Sequence, residues 1–172
     1  MAGSLPSRNK ATINLDKILD IKQAIEISGK IRRGGKLIVL AGGCFDILHK
    51  GHLLFLRNAR EQGDVLFLFL ESDENVKRLK GDDRPINSQE VRAKALSNLP
   101  FVDYVIKLSK LPTDKYYDRL IAHIRPSVIA VTEDDPNLGQ RKKQAETAGG
   151  IVKSVTRRTD HSTTEFARLL KK

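Results

Sequence analysis

Two histidines three residues apart, His49 and His52, stand in the segment GGCFDILHKGH at positions 42–52. On a helical turn that spacing brings both imidazoles to one side, where they can donate hydrogen bonds to phosphate oxygens. Gly42 and Gly43, just upstream, let the backbone approach a ligand closely. Gly51 opens the way for phosphate to the free amides and positive dipole end of the helix that follows. The segment therefore reads as a phosphate cradle with two charge-tunable donors. The histidine spacing by itself also fits a metal pair or a capped turn. Zinc is disfavoured because no third and fourth ligand accompany the pair: Cys44 is isolated, and His123 and His161 lie far along the chain.

Such a cradle needs a buried strand to deliver it and an amphipathic helix to receive it. LIVLAGG (37–43) is a short apolar run ending in glycines, the pattern of a buried parallel strand opening onto a ligand loop. Upstream, Leu15, Ile18, Leu19, Ile21, Ala24, Ile25 and Ile31 recur at helical spacing until Gly34 and Gly35, which predicts a first helix. Downstream, Leu53, Leu54, Leu56 and Ala59 form a helical stripe closed by Gly63, and VLFLFL (65–70) is a second buried strand. The alternation continues: SQEVRAKALSNL (88–99) before VDYVIKL, YYDRLIAHI (116–124) before SVIAVT, a polar helix at 139–148 before GIVKSV, and a closing helix TEFARLL. This order predicts an α/β fold, a Rossmann-like doubly wound parallel sheet with helices on both faces and a ligand crevice at the carboxyl ends of the strands.

The chain has 172 residues, 40% of them hydrophobic, which suits one compact domain. Residues 14–172 are expected to form it, with 1–13 as a mobile lead-in lacking periodicity. A net charge of +10 favours polyanionic ligands: nucleotides, sugar phosphates, nucleic acid or an acidic membrane face. The single cysteine excludes an internal disulfide, and with no apolar run long enough to cross a bilayer a cytoplasmic protein is expected. A nucleic-acid module is the rival reading, since 31 Lys plus Arg face 21 Asp plus Glu. Against it, aromatic residues are only 5%, few for base stacking, and there is no loop of the Lys-Met-Ser-Lys-Ser kind.

GCFDILHKGH resembles the signature of the cytidylyltransferase-like nucleotidyltransferase superfamily. The likeness continues through SDENVKRLKGDDRPINSQEVR and FVDYVI, which are similar to the adenylyltransferase domain of bacterial ADP-heptose synthase. RTDHSTTEFARLL resembles the closing motif shared with ethanolamine-phosphate and glycerol-phosphate cytidylyltransferases. Roughly residues 15–170 are covered. The resemblance implies transfer of a nucleoside monophosphate from a nucleoside triphosphate to a small phosphorylated acceptor, Mg²⁺ bridging the phosphate oxygens, and pairing into a homodimer. By the same resemblance His49, His52 and Lys80 are expected to be catalytic. Nucleotide contacts are expected from Gly43, Cys44, Phe45, Asp46, Gly51, Arg84, Arg92, Arg158, Ser162, Thr163 and Thr164. Lys80 is read as a loop lysine that closes on the transferring and leaving phosphates. Arg84 lies in the same loop, and the planar fork of Arg92 suits phosphate oxygens. The three hydroxyls at 162–164 can cap the last helix as well as bind phosphate. Asp46 is expected either to orient backbone or a Mg²⁺ shell, or to stabilise the turn.

One segment departs from the heptose pattern. Where those enzymes carry a Lys-Gly-Gly-Asp-Tyr-like stretch, this chain has VTEDDPNLGQRKKQ (131–144), with Glu133, Asp134 and Asp135 in place of the small residues. ATP with a heptose 1-phosphate-like acceptor is the first expectation, and CTP with a polyol or amino-alcohol phosphate the second.

Overall fold

A computed structural model describes residues 17–110 and 113–156. The expected lead-in at 1–13, Arg158, Ser162, Thr163, Thr164 and the closing TEFARLL helix lie outside the described residues. In chain order the elements are β1 (Ile18–Leu19), α1 (Ile21–Arg33), β2 (Ile38–Gly43), α2 (Lys50–Arg60), β3 (Val65–Leu70), α3 (Asp73–Lys80), α4 (Gln89–Ser97), β4 (Tyr104–Lys107), α5 (Asp114–Ile124), β5 (Val128–Thr132), α6 (Leu138–Ala148) and β6 (Ile151–Val155).

All five strand pairings are parallel, in the order β1-β4-β3-β2-β5-β6. Leu40 of β2 lies between Phe67 of β3 and Ile129 of β5. Strand order reverses here: β3 and β4 run outward on one side of β2, β5 and β6 on the other. Successive residues of each strand bury opposite faces, as the two-residue period demands. Leu40, Phe67, Phe69 and Ile129 pack with Leu120, Ile121 and Ile124 of α5 and Ala145 and Ala148 of α6. Val39, Leu66, Leu68 and Ala130 pack on the other face with Phe55, Leu56 and Ala59 of α2 and Ala93 and Leu96 of α4. This is the Rossmann-like doubly wound sheet that the alternation predicts, and VLFLFL is buried along its whole length because helices cover both faces.

Two elements differ from the sequence reading. The first helix begins at Ile21, not near Leu15, because Asp20 forms a capping box: its side chain accepts from Gln23 N–H at 2.8 Å, and Gln23 Oε1 accepts from Asp20 N–H at 2.9 Å. Ile18 and Leu19 thereby fall in an extended segment and pair with Val105 and Ile106. The stretch after β3 is not a loop throughout. Ser72 caps α3 through Asn75 N–H, Asp73 and Glu74 occupy the first turn, and Gly81 ends the helix at φ 114°.

Candidate active site

The β2–α2 turn is built by close approach and capping. A Cβ on Gly43 would meet the Phe45 ring at 3.1 Å, so the bare backbone is what lets that ring fold in. Phe45 takes φ +45°, a left-handed conformation uncommon for an aromatic residue, and is buried. His49 is the N-cap of α2 in extended geometry, its Nδ1 accepting from Gly51 N–H at 3.1 Å. The Gly51 amide is thus used by the cap. The exchange fixes the imidazole: with Nδ1 as acceptor, the neutral ring carries its proton on Nε2 and is a donor there. His52 stacks on His49 with ring centroids 3.9 Å apart and 25° between planes, and meets Phe45 edge-on at 5.4 Å. The expected pairing of the two imidazoles is therefore present in the fold.

Two buried charges hold this turn against its neighbours. Asp46, 3% exposed in its side chain, accepts from Arg84 Nε at 2.6 Å, Ile86 N–H at 2.9 Å and Asn87 N–H at 2.9 Å. Asn87 Nδ2 returns a bond to Asp46 O at 2.8 Å. Burial pushes the Asp46 carboxyl up, but the Asn87 and Ile86 amides and then the Arg84 guanidinium outweigh it and hold it below the usual range. The Asp46 carboxylate thus ties the backbone at Ile86 and Asn87 to the turn. Arg92 has only 1% of its side chain exposed and donates to Asn87 O at 3.0 Å, Cys44 O at 2.6 Å, Glu71 O at 2.9 Å and Asp73 Oδ1 at 2.7 Å. A phosphate contact from Arg92 does not fit this arrangement, and the expectation is corrected: its fork is committed to protein carbonyls, where it ties three loops together.

The turn opens into a cleft of about 930 Å³ at the carboxyl ends of β2, β3 and β5, the reversal point of the strand order. His49, Gly51, His52, Lys80 and Arg84 line it, as do Gly43, Cys44, Phe45 and Asp46. Lys80 is the last residue of α3 and not part of a loop; Gly81 behind it is the break that frees the side chain's end of the helix. Cys44 forms part of the cleft wall, and burial, reinforced by Glu71, pushes its thiol up. Sequence reasoning missed Glu71, Tyr117 and Arg141, which also line the cleft. Arg141 is steadied by Gln144 at 3.1 Å, itself bonded to Asp118 at 2.7 Å. No local pattern marks these three. Tyr117 and Glu71 meet at 2.7 Å across 46 residues of sequence.

Comparison with known proteins adds the family. The family model described as cytidylyltransferase-like matches residues 40–168. The chain belongs to this family. Among similar proteins, bifunctional protein HldE of Nitratiruptor sp. is 46% identical over 112 residues, covering 65% of this chain and 23% of that protein. Bifunctional protein HldE of Proteus mirabilis is 38% identical over 153 residues, covering 88% of this chain and 31% of the relative. The chain thus spans about a quarter to a third of the length of these relatives. A solved structure, the lipopolysaccharide core biosynthesis protein of Thermoplasma volcanium, superposes with TM-score 0.57 at 26% identity, over 70% of this chain and 95% of that one.

The described residues contain no group of three His, Cys, Asp or Glu side chains able to hold a metal ion. Each cleft carboxylate already accepts from the protein: Asp46 from three donors, Glu71 Oε2 from Tyr117 and Asn75, and Asp135 Oδ1 from Asn137 N–H at 2.7 Å. This donor set does not fit a Mg²⁺ ion caged by the protein. No described helix is long and apolar enough to cross a membrane.

Arg92→Lys keeps the charge but loses the fork. Chemical denaturation should show it destabilised by about 3 kcal/mol or more, the cost of breaking a buried charged network. Unchanged stability with weakened nucleotide binding would instead mark Arg92 as a phosphate ligand. Asp46 gives a pH signature. Its folded pKa lies below the unfolded value of about 3.9, so its contribution is present above that pH and is lost as pH falls through the folded pKa. Between about pH 4 and pH 2, wild type should lose more stability than Asp46→Asn, measured by urea unfolding at each pH; parallel curves would remove Asp46 from this role.

Proposed function

We propose that the protein is a nucleotidyltransferase that joins AMP from ATP to a sugar phosphate, heptose 1-phosphate-like, and releases pyrophosphate. The observation that carries this reading is the stacked His49–His52 pair at the start of α2, at the sheet's reversal point, with Lys80 and Arg84 on the same cleft. Membership of the cytidylyltransferase-like family supports it, and the similarity to bifunctional protein HldE favours ATP over CTP.

In the proposed reaction an oxygen of the acceptor phosphate attacks the α-phosphorus of ATP. A new P–O bond forms there as the bond to the β-phosphate oxygen breaks, and pyrophosphate leaves with that electron pair. The attacking monoester is already anionic at neutral pH, so alignment and charge neutralisation matter more than removal of a proton. His49 supplies an Nε2–H donor whose direction is preset by the Gly51 bond, and His52 is aligned with it by stacking. Lys80 neutralises charge that builds on the leaving phosphates. Arg84 is turned toward Asp46 through Nε, which leaves its terminal nitrogens for phosphate. Mg²⁺ enters as the counterion of the triphosphate, part of the substrate.

Pyrophosphate release should appear with ATP, Mg²⁺ and a sugar 1-phosphate, and fall roughly 100-fold or more in His49→Ala, in the range for losing one preorganised donor to developing charge. Release with CTP and a polyol or amino-alcohol phosphate instead would reassign the base and the acceptor. Release from no pair would overturn the transferase reading.

A further inference from the structure

One wall of the cleft has the opposite chemistry to the cradle. His49, His52, Lys80 and Arg84 offer donors and positive charge, whereas Glu71, one residue beyond β3, brings a carboxylate to the same cavity. Its backbone is fixed beside the glycine turn by Glu71 N–H donating to Gly43 O at 3.2 Å. Its side chain is fixed as well. Glu71 Oε2 accepts from Tyr117 O–H at 2.7 Å and from Asn75 Nδ2 at 3.0 Å, and Asn75 Nδ2 also reaches the Tyr117 oxygen at 3.2 Å. Asn75 is only 1% exposed and is itself held by Ser72 Oγ. A carboxylate gripped from α3 and α5 in this way is preorganised, a costly arrangement for a side chain that merely faces solvent.

Accounting for protons and lone pairs shows what the wall offers. Among the described residues, both hydrogen bonds to the Glu71 carboxylate fall on Oε2, which leaves Oε1 as an acceptor. Tyr117 spends its proton on Glu71. Burial, and then Glu71, push the Tyr117 phenol up, so that proton stays in place at neutral pH. The Glu71–Tyr117 pair therefore offers acceptors to the cleft, a chemistry that favours O–H donors over phosphate, next to a cradle with the reverse preference. The Cys44 thiol feels both the Glu71 carboxylate and the Lys80 ammonium, so the two chemistries meet within one small region. A molecule that satisfies both has a phosphate at one end and hydroxyl groups at the other.

We propose that Glu71, held in place by Tyr117 and Asn75, reads the hydroxyl groups of the acceptor and sets specificity for a polyhydroxylated phosphate. This assignment rests on the transfer reaction proposed above and names its acceptor class through residues that have no counterpart among the expected site residues.

Calorimetric titration tests it with two ring phosphates of similar size, mannose 1-phosphate and cyclohexyl phosphate, each added to protein saturated with α,β-methylene-ATP. Wild type should bind the hydroxylated ring roughly tenfold or more tightly, as expected for a hydrogen bond to a charged acceptor. Glu71→Gln should erase most of that preference by weakening mannose 1-phosphate alone, with the affinity for the ATP analogue unchanged. Tyr117→Phe, which leaves the carboxylate but removes one of its anchors, should do the same to a smaller degree. Equal binding of the two phosphates by wild type, equal weakening of both in Glu71→Gln, or loss of ATP-analogue affinity in that variant would overturn the assignment; the last would place a nucleobase donor on Glu71. Pyrophosphate release, followed in parallel with ATP, separates the two readings. Discrimination without release from any sugar phosphate would keep the Glu71 role and overturn transfer, and release without discrimination would do the reverse.

Discussion

Burying ionised groups is expensive, and this fold buries two around one turn. Arg92 and Asp46 hold the loops that surround the cleft, and each is surrounded by hydrogen-bond partners that offset its desolvation. The guanidinium reaches the carbonyls of Cys44, Glu71 and Asn87, so the ends of β2 and β3 and the segment before α4 are fixed relative to one another. The Asp46 carboxylate then collects Arg84, Ile86 and Asn87 against the same turn. The left-handed Phe45 sits between these two clamps and lets the chain pass from a buried strand into a helix whose first residues face the cleft. Without the clamps, the turn that carries His49 and His52 loses its ties to the neighbouring loops, and Arg84 loses its anchor on Asp46.

Topology supplies the rest. Because strand order reverses at β2, the turn after it lies between helices of opposite faces and opens onto a cavity instead of being covered by a crossover. The helix that follows contributes its positive end to the same place. The cavity carries two chemistries side by side, donors and cations around the turn and a fixed carboxylate beyond β3. That division matches the two partners of the proposed reaction: polyphosphate at the turn, hydroxylated acceptor at the wall.

Much of this was legible in local pattern. VLFLFL and LIVLAGG could only be buried strands, and the glycine and histidine spacing marked the turn between them. The short β1 was not legible, since Ile18 and Leu19 continue the helical spacing of the residues after them and only the Asp20 cap separates the two. The helix α3 was hidden by its polarity, although Ser72 before two acidic residues and Gly81 after Lys80 are readable end signals. Arg92 illustrates a harder limit. An arginine's fork suits phosphate and carbonyl alike, and which one it finds depends on groups 5 to 48 residues away that the fold brings together. Glu71 and Tyr117 belong to the same class, because neither means anything until the fold joins them.

The placement of nucleotide phosphates at the histidine pair is the claim on which everything functional depends. Imidazole nitrogen NMR during titration with α,β-methylene-ATP measures it directly, with His123, on the exposed side of α5, as an internal control. Binding at the turn predicts that the ring nitrogens of His49 and His52 shift together while His123 stays still, and that His49 Nδ1 keeps its acceptor character throughout. Saturating nucleotide binding that leaves both histidines unmoved would contradict it.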